Sequence, residues 1–291
     1  MTAELQRWLA ESGIATDFRL TELQRGLGAN EIWKLETGAN EPLVVRLFAP
    51  GHQAAANREA AAMQAAHAAG VPAPEVISQG SMATRPVLVT TFAPGELAAD
   101  ALLANPAIAT ELGVAFGQTM ARLHQVTAPD LGRTPGAWIE LGGDAIAPLR
   151  PLLTTIPDQD RLLHLDFHPR NVLVQDSEVS GVIDWENAHA GPPHADLART
   201  TAILRVMEMA SLIPPAAISV LRTFTSSLTE SHDAIVGPAP FTGALSAWGL
   251  AMTARDLANQ VGKPGSPFTS DLISRLESER DAAITTALNL A

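Results

Sequence analysis

The chain has 291 residues, with 31 acidic against 19 basic side chains and a net charge of -12. That balance speaks against a nucleic-acid binder, which needs a basic face to displace phosphate counterions, and against docking on an anionic membrane. Cysteine is absent, which excludes disulfides, thiolate zinc sites and cysteine nucleophiles, and a reducing, cytoplasmic setting is expected. No run of about 18 apolar residues is present, and the first residues, with Glu4 and Glu11, lack the basic-then-apolar order of a secretory signal.

In chain order, residues 2–12 read as a short amphipathic helix. Three β-like runs follow, Phe18–Leu23, Ile32–Glu36 and Leu43–Leu47, separated by Gly- and Asn-containing turns. Gln53–Ala69 is an unbroken alanine-rich helix that Gly70 and Pro72 stop. Glu75–Ser78 and Pro86–Thr91 read as two more strands. Ala93-Pro94-Gly95 then breaks the pattern, and helices dominate. Pro106–Gln125 is one long helix, 128–160 is loop-rich, and Leu162–Leu165 is a short apolar run. Val172–Val174 and Val179–Ile183 form a hairpin. Helices are expected over 195–211, 214–231, 240–261 and 267–289. A mostly-β first third and a mostly helical remainder predict a two-lobed α+β protein with a crevice between the lobes.

Chemistry concentrates in His164-Leu-Asp166-Phe-His168-Pro-Arg-Asn171 and in Ile183-Asp184-Trp185-Glu186. Pro169 ends any strand, so Asp166 and Asn171 lie on an irregular loop. Asn171 and Asp184 close adjacent apolar runs and can share one cation; an oxygen-only pair suits Mg²⁺ and leaves room for phosphate oxygens. Asp166 would face the same spot without being a ligand. Metal holders plus one carboxylate for an accepting hydroxyl are what phosphoryl transfer requires. A rival reading places His164, Asp166 and His168 on one face of a strand as zinc ligands for hydrolysis. A nucleotide-binding pseudokinase is a third.

The pattern H-x-D-x-x-x-x-N, followed 13 residues after its Asn by I-D-W, resembles the aminoglycoside phosphotransferase and choline kinase family, with the protein-kinase-like fold. The resemblance covers roughly 20–200. It implies an N-lobe at 1–92, a hinge at 93–95 and a C-lobe at 96–291. It also implies Asp166 as catalytic base, Asn171 and Asp184 as Mg²⁺ ligands, and ATP or GTP as donor. Gly28, Ala29, Asn30 and Glu31 would lie in a hairpin over the phosphates. Arg46 would hold the phosphates, fixed by Glu59, where many family members have Lys. Backbone groups of Thr91 and Ala93 would hold the purine, with Thr90 behind it. Asp196 would cap its helix and prop the catalytic loop, while Trp138 and Trp248 are either core or acceptor pocket. Leu165 stands where the family most often has Gly. The acceptor would be a small hydroxylated molecule, aminoglycoside-like or otherwise cationic. A cationic acceptor is expected because residues 96–200 carry 14 acids against 6 bases. Oligomeric state is not readable from the sequence.

Overall fold

A computed structural model describes residues 2–25, 30–38, 41–131, 134, 136–157, 159–210 and 212–290. Helix α1 (Thr2–Glu11) precedes strands β1 (Arg19–Arg25), β2 (Glu31–Glu36) and β3 (Leu43–Leu47). Helix α2 (Gln53–Ala68) then leads to β4 (Val76–Met82) and β5 (Arg85–Thr91). These strands form one antiparallel sheet in the order β1-β2-β3-β5-β4. One set of buried sheet residues, Leu35, Val45, Leu47, Val87 and Val89, packs with Leu5 and Leu9 of α1. Leu88 instead joins the cluster containing Phe48, Ala56, Ala60 and Met63, as alternation along a strand requires. The stop after α2 follows the expected glycine signal. Gly70 has φ +77°, its N–H donates to the His67 carbonyl, and Val71 N–H donates to that of Ala66, which together satisfy carbonyls at the helix end.

Beyond Gly95 the chain forms β6 (Glu96–Leu97), α3 (Ala98–Ala104) and α4 (Ala109–Leu123), then 3-10 turns and α5 (Arg150–Leu153) within the loop-rich stretch. Next come β7 (Arg161–Leu163), β8 (Val172–Gln175), β9 (Glu178–Val182) and β10 (His189–Gly191). Four helices finish the described chain: α6 (Pro193–Met209), α7 (Ala217–Val236), α8 (Thr242–Ala258) and α9 (Ser270–Leu290). The fold is therefore α+β, a β-rich lobe beside a helical one. Short α3, β6 and β10 escape the sequence reading because each is too brief to show a period. The lobes touch through several specific contacts. Val182 N–H donates to the Pro72 carbonyl at 2.6 Å and Arg58 Nε to the Glu186 carbonyl at 3.3 Å, while β6 pairs with β8 inside the second lobe. Gly95, at φ +101°, is required here, since a Cβ would lie 2.3 Å from the Val174 carbonyl oxygen.

Helices α4 and α7 pack closely because α4 carries Gly113 and Gly117. A Cβ on Gly117 would meet the Leu228 carbonyl oxygen at 2.4 Å, a backbone atom that cannot step aside. Gly117→Ala should therefore destabilise the protein by about 1–3 kcal/mol despite the better helix propensity of alanine. A thermal melt checks this; an unchanged or raised Tm would mean that the two helices separate at no cost.

Candidate active site

The loop after β7 is held from beneath on both sides of Asp166. Leu165 and Phe167 are fully buried: Leu165 in the cluster with Trp138 and Trp248, Phe167 edge-on to Phe116 at 5.4 Å. Asp166 between them keeps a 22% exposed side chain. Leu165 adopts φ +59°, the left-handed region that favours glycine. What holds a leucine there is Asp196 of α6. Its two carboxylate oxygens accept the N–H groups of His164 at 2.7 Å and Leu165 at 2.8 Å. Asp196 lies inside the first turn of α6 and makes no helix cap, so only the propping role expected of it holds. Arg199, also on α6 and buried, donates to the Leu165 carbonyl at 3.3 Å and is itself held by Thr253 and Asp256 of α8.

Asn171 donates its amide to the Asp166 carbonyl at 3.0 Å and to Asp166 Oδ2 at 2.8 Å. With the nitrogen so committed, Oδ1 is the atom left for a cation. The Asn171 carbonyl accepts Ile183 N–H at 2.9 Å, which ties this loop to the residue before Asp184. Burial works to raise the Asp166 pKa. The hydrogen bond and charge of His168, with the charges of Arg199 and His164, overcome it and hold the carboxyl at about 2. Asp166 is thus ionised throughout the neutral range. By linkage its ionised form adds stability at neutral pH that is lost as pH falls from about 4 through 2.

Arg46 on β3 gathers the remaining acids. Its guanidinium donates to Glu59 at 2.7 Å, Asp184 at 3.0 Å and Glu186 at 2.8 Å, and it lies over the Phe48 ring. Burial alone would lower the Arg46 pKa, but these carboxylates raise it further, so it stays charged. The fully buried Glu59 carboxyl is pushed upward, first by desolvation and then by Asp184 and Glu186, against the pull of Arg46. Glu186 was not singled out in the sequence; its place two residues after Asp184 in a D-W-E run is the signal that could have found it. Asp184 has φ +64° and ψ +68°, and its side chain is 43% exposed.

With the Glu59 carboxyl pushed up to about 8, Asp184 and Glu186 around one guanidinium leave one negative charge. Glu59 Oε2 and Arg46 Nε are buried with no hydrogen-bond partner among the described residues. An all-oxygen set with that surplus, Asp184 and Glu186 beside Asn171, fits a hard divalent cation of the Mg²⁺ kind.

Other expected residues are placed as follows. Gly28 and Ala29 lie outside the described residues. Asn30 Oδ1 accepts Ala49 N–H at 3.0 Å, and Glu31 pairs with Arg85 at 2.8 Å, so both side chains brace the sheet in this structure. Thr90 is buried. Thr91 N–H already donates to the Glu75 carbonyl and its hydroxyl accepts Glu75 N–H. The expectation for Thr91 narrows accordingly to its carbonyl, because pairing at the sheet end consumes the donor. Ala93 N–H makes no hydrogen bond among the described residues.

The zinc-hydrolase reading fails on geometry. β7 ends at Leu163, so the alternation it needs does not exist. His164 spends one ring nitrogen on the Ile183 carbonyl at 3.1 Å and the other on Asp166 N–H at 3.2 Å, and burial lowers its pKa. Trp138 and Trp248 are core: both are buried edge-to-face at 5.3 Å, with the Trp248 N–H donating to the carbonyls of Trp138 and Ile139.

Residues 20–215 match the model of the phosphotransferase enzyme family abbreviated APH. The chain belongs to that family. It is a small-molecule phosphotransferase of protein-kinase-like fold. Aminoglycoside phosphotransferase APH(4)-Ia superposes on the phosphotransferase with a TM-score of 0.67 at 16% identity, over 98% of this chain and 99% of the other. Macrolide 2'-phosphotransferase MphH from Brachybacterium faecium gives 0.56 at 20% identity, over 99% and 97%. An aminoglycoside-3'-phosphotransferase of type VIII gives 0.59 at 20%, over 85% and 98%. No curated protein sequence matches this chain. No described helix is long and apolar enough to cross a membrane.

Proposed function

We propose that this phosphotransferase moves the γ-phosphoryl group of ATP or GTP to a hydroxyl of a small molecule, with Asp166 as the base. The observation that carries the reading is the locked trio: Asp166 bonded to Asn171, and Asn171 tied through Ile183 to Asp184 beside Arg46. Asp166 orients the accepting hydroxyl and takes its proton late, since a loose transition state asks mainly for alignment and charge neutralisation. Asn171 and Asp184 would hold Mg²⁺, with Glu186 at hand. When bound, the ion neutralises charge on the transferred phosphoryl group. Arg46, braced by Glu59, neutralises phosphate oxygens from the sheet side. Glu31 begins β2 and Asn30 precedes it, next in the chain to Gly28 and Ala29, the residues expected to cover the phosphates. The purine sits against residues 90–93, using the Thr91 carbonyl and the Ala93 N–H, with Thr90 behind. The lobes divide at 93–95, with 1–92 above and 96–291 below. A cytoplasmic setting suits a chain without cysteine.

Support for a donor nucleotide and a small acceptor comes from a structure of APH(4)-Ia in ternary complex with AMP-PNP and hygromycin B. A screen of hydroxylated acceptors with both nucleotides, read by ADP and GDP release, tests the reading. Nucleotide binding with no turnover on any acceptor would instead make the chain a pseudokinase.

The acidic excess of 96–200 favours a cationic acceptor. For the best acceptor, kcat/KM should fall as ionic strength rises from about 0.01 to 0.15 M, where the screening length shrinks from about 30 to 8 Å. A salt-independent value, after subtracting the nucleotide's own dependence, would reduce the acidic excess to a solubility feature.

A further inference from the structure

Arg199 is the only arginine or lysine that is buried among the described residues, and the proposed chemistry does not use it. Burying a guanidinium is costly, and an apolar side chain of similar length would fill the same space without that penalty.

The aim of Arg199 is fixed from α8. Gly249 lets that helix approach α6 closely: a Cβ there would lie 2.5 Å from the Ala198 carbonyl oxygen. The Thr253 hydroxyl donates to the Gly249 carbonyl at 2.7 Å, which leaves its lone pairs for Arg199 Nη1 at 2.6 Å. Asp256 accepts from Nη2 at 2.7 Å. With both terminal nitrogens tied, the planar fork leaves one direction for Nε–H, and that bond meets the Leu165 carbonyl at 3.3 Å.

The Leu165 carbonyl belongs to the peptide on which Asp166 is mounted. At the other end of this peptide the Asp166 N–H donates to His164 Nδ1 at 3.2 Å, and the His164 ring is itself anchored by Nε2 on the Ile183 carbonyl at 3.1 Å. The two peptides before it are held separately, by Asp196 on the N–H groups of His164 and Leu165. Both bonds to the 165–166 peptide are long, so neither secures it alone.

We infer that Arg199 is a positioning residue for the base: braced by Thr253 and Asp256, it holds the Leu165–Asp166 peptide and thereby aims the Asp166 carboxylate at the accepting hydroxyl. Asp196 does not reach this peptide, since its oxygens stop at the Leu165 N–H. Asn171 grips the Asp166 carbonyl and Oδ2, atoms whose place that peptide sets. A hold is needed at this point because Leu165 stands at φ +59°, a conformation its own preferences oppose. Burial works to raise the Asp166 pKa, and after His168 it is the charge of Arg199 that draws it down, which places the cation behind the base.

This role rests on the phosphotransferase reading of the 164–171 loop, and the experiment separates the two. Arg199→Met keeps the length and removes every donor. Asp256 is 37% exposed, so water can take up its carboxylate and the fold should survive. Amide hydrogen exchange, read residue by residue by NMR on the full chain, should quicken at least about tenfold at Asp166 and stay within about threefold at His164 and Leu165, which Asp196 holds. kcat should fall about 10- to 100-fold with nucleotide KM little changed, as for a base that is present but displaced. In an Asp166→Asn background the same substitution should slow turnover no further, because a residue that acts through the carboxylate has nothing left to aim. Thr253→Val removes one brace and keeps the charge; it should give the same pattern at smaller size, and it decides the matter if Arg199→Met does not fold. A residue that only ties α6 to α8 would loosen amides along both helices and slow the Asp166→Asn enzyme as much as the wild type. That outcome, an Asp166 amide that exchanges alike in both proteins, or an unchanged kcat would each overturn the proposal. The exchange pattern needs no turnover, so its appearance beside a failed acceptor screen would sink the phosphotransferase reading alone.

Discussion

Asp166→Asn should turn over about 10²–10⁴ times more slowly than the wild type while binding nucleotide within a few-fold. The carboxylate is held at a pKa of about 2, so at neutral pH the variant removes a charge that is always present. Its neighbours should stay where they are. Asn171 can still donate to the side-chain oxygen and carbonyl of residue 166, and buried Leu165 and Phe167 fix the backbone on either side. The loss therefore falls on kcat, as expected when an interaction is made only in the transition state. Single-turnover rates and nucleotide titration on the same preparation check both halves. Near wild-type turnover would remove Asp166 from the chemistry.

Asp184→Asn should fail in the opposite way, by losing Mg²⁺-dependent nucleotide binding. On the role proposed for Asp184, the loss should exceed the about 10–100-fold that removing an outer-shell partner of a metal costs. The apo protein should melt almost as before, for two reasons visible at the site. Asp184 is in the left-handed region, which asparagine adopts more readily than most residues. Its bond to Arg46 is one of three, and the carboxylate is 43% exposed, so losing its charge costs little stability. Calorimetric titration of the Mg²⁺-nucleotide complex and a melting curve separate the effects. Undiminished affinity would displace Asp184 from the metal, and a collapsed Tm would make its role structural.

The sequence by itself determined most element types and singled out the residues proposed to react. Alanine-rich Gln53–Ala68 ended by Gly70, the β-like runs, and the Asp166, Asn171 and Asp184 spacings are all local, and backbone preferences of a few residues suffice to read them. The Arg46–Glu59 pair was legible only through the family resemblance, and the structure forms it at 2.7 Å. What only the tertiary structure decided is how these groups are held. Asp196 grips backbone 31 and 32 residues away, Arg46 reaches Glu186 across 140 positions, and His232 meets His124 across 108. Thr91 gives its N–H to Glu75 for a reason found in sheet pairing, not in the Thr91 neighbourhood. Such partners are chosen when helices and sheet pack and each buried polar atom takes whatever donor or acceptor that packing brings within reach. No spacing along the chain encodes that choice. The left-handed Leu165 is the sharpest case: its own preference opposes the conformation, and the Asp196 carboxylate from a distant helix imposes it.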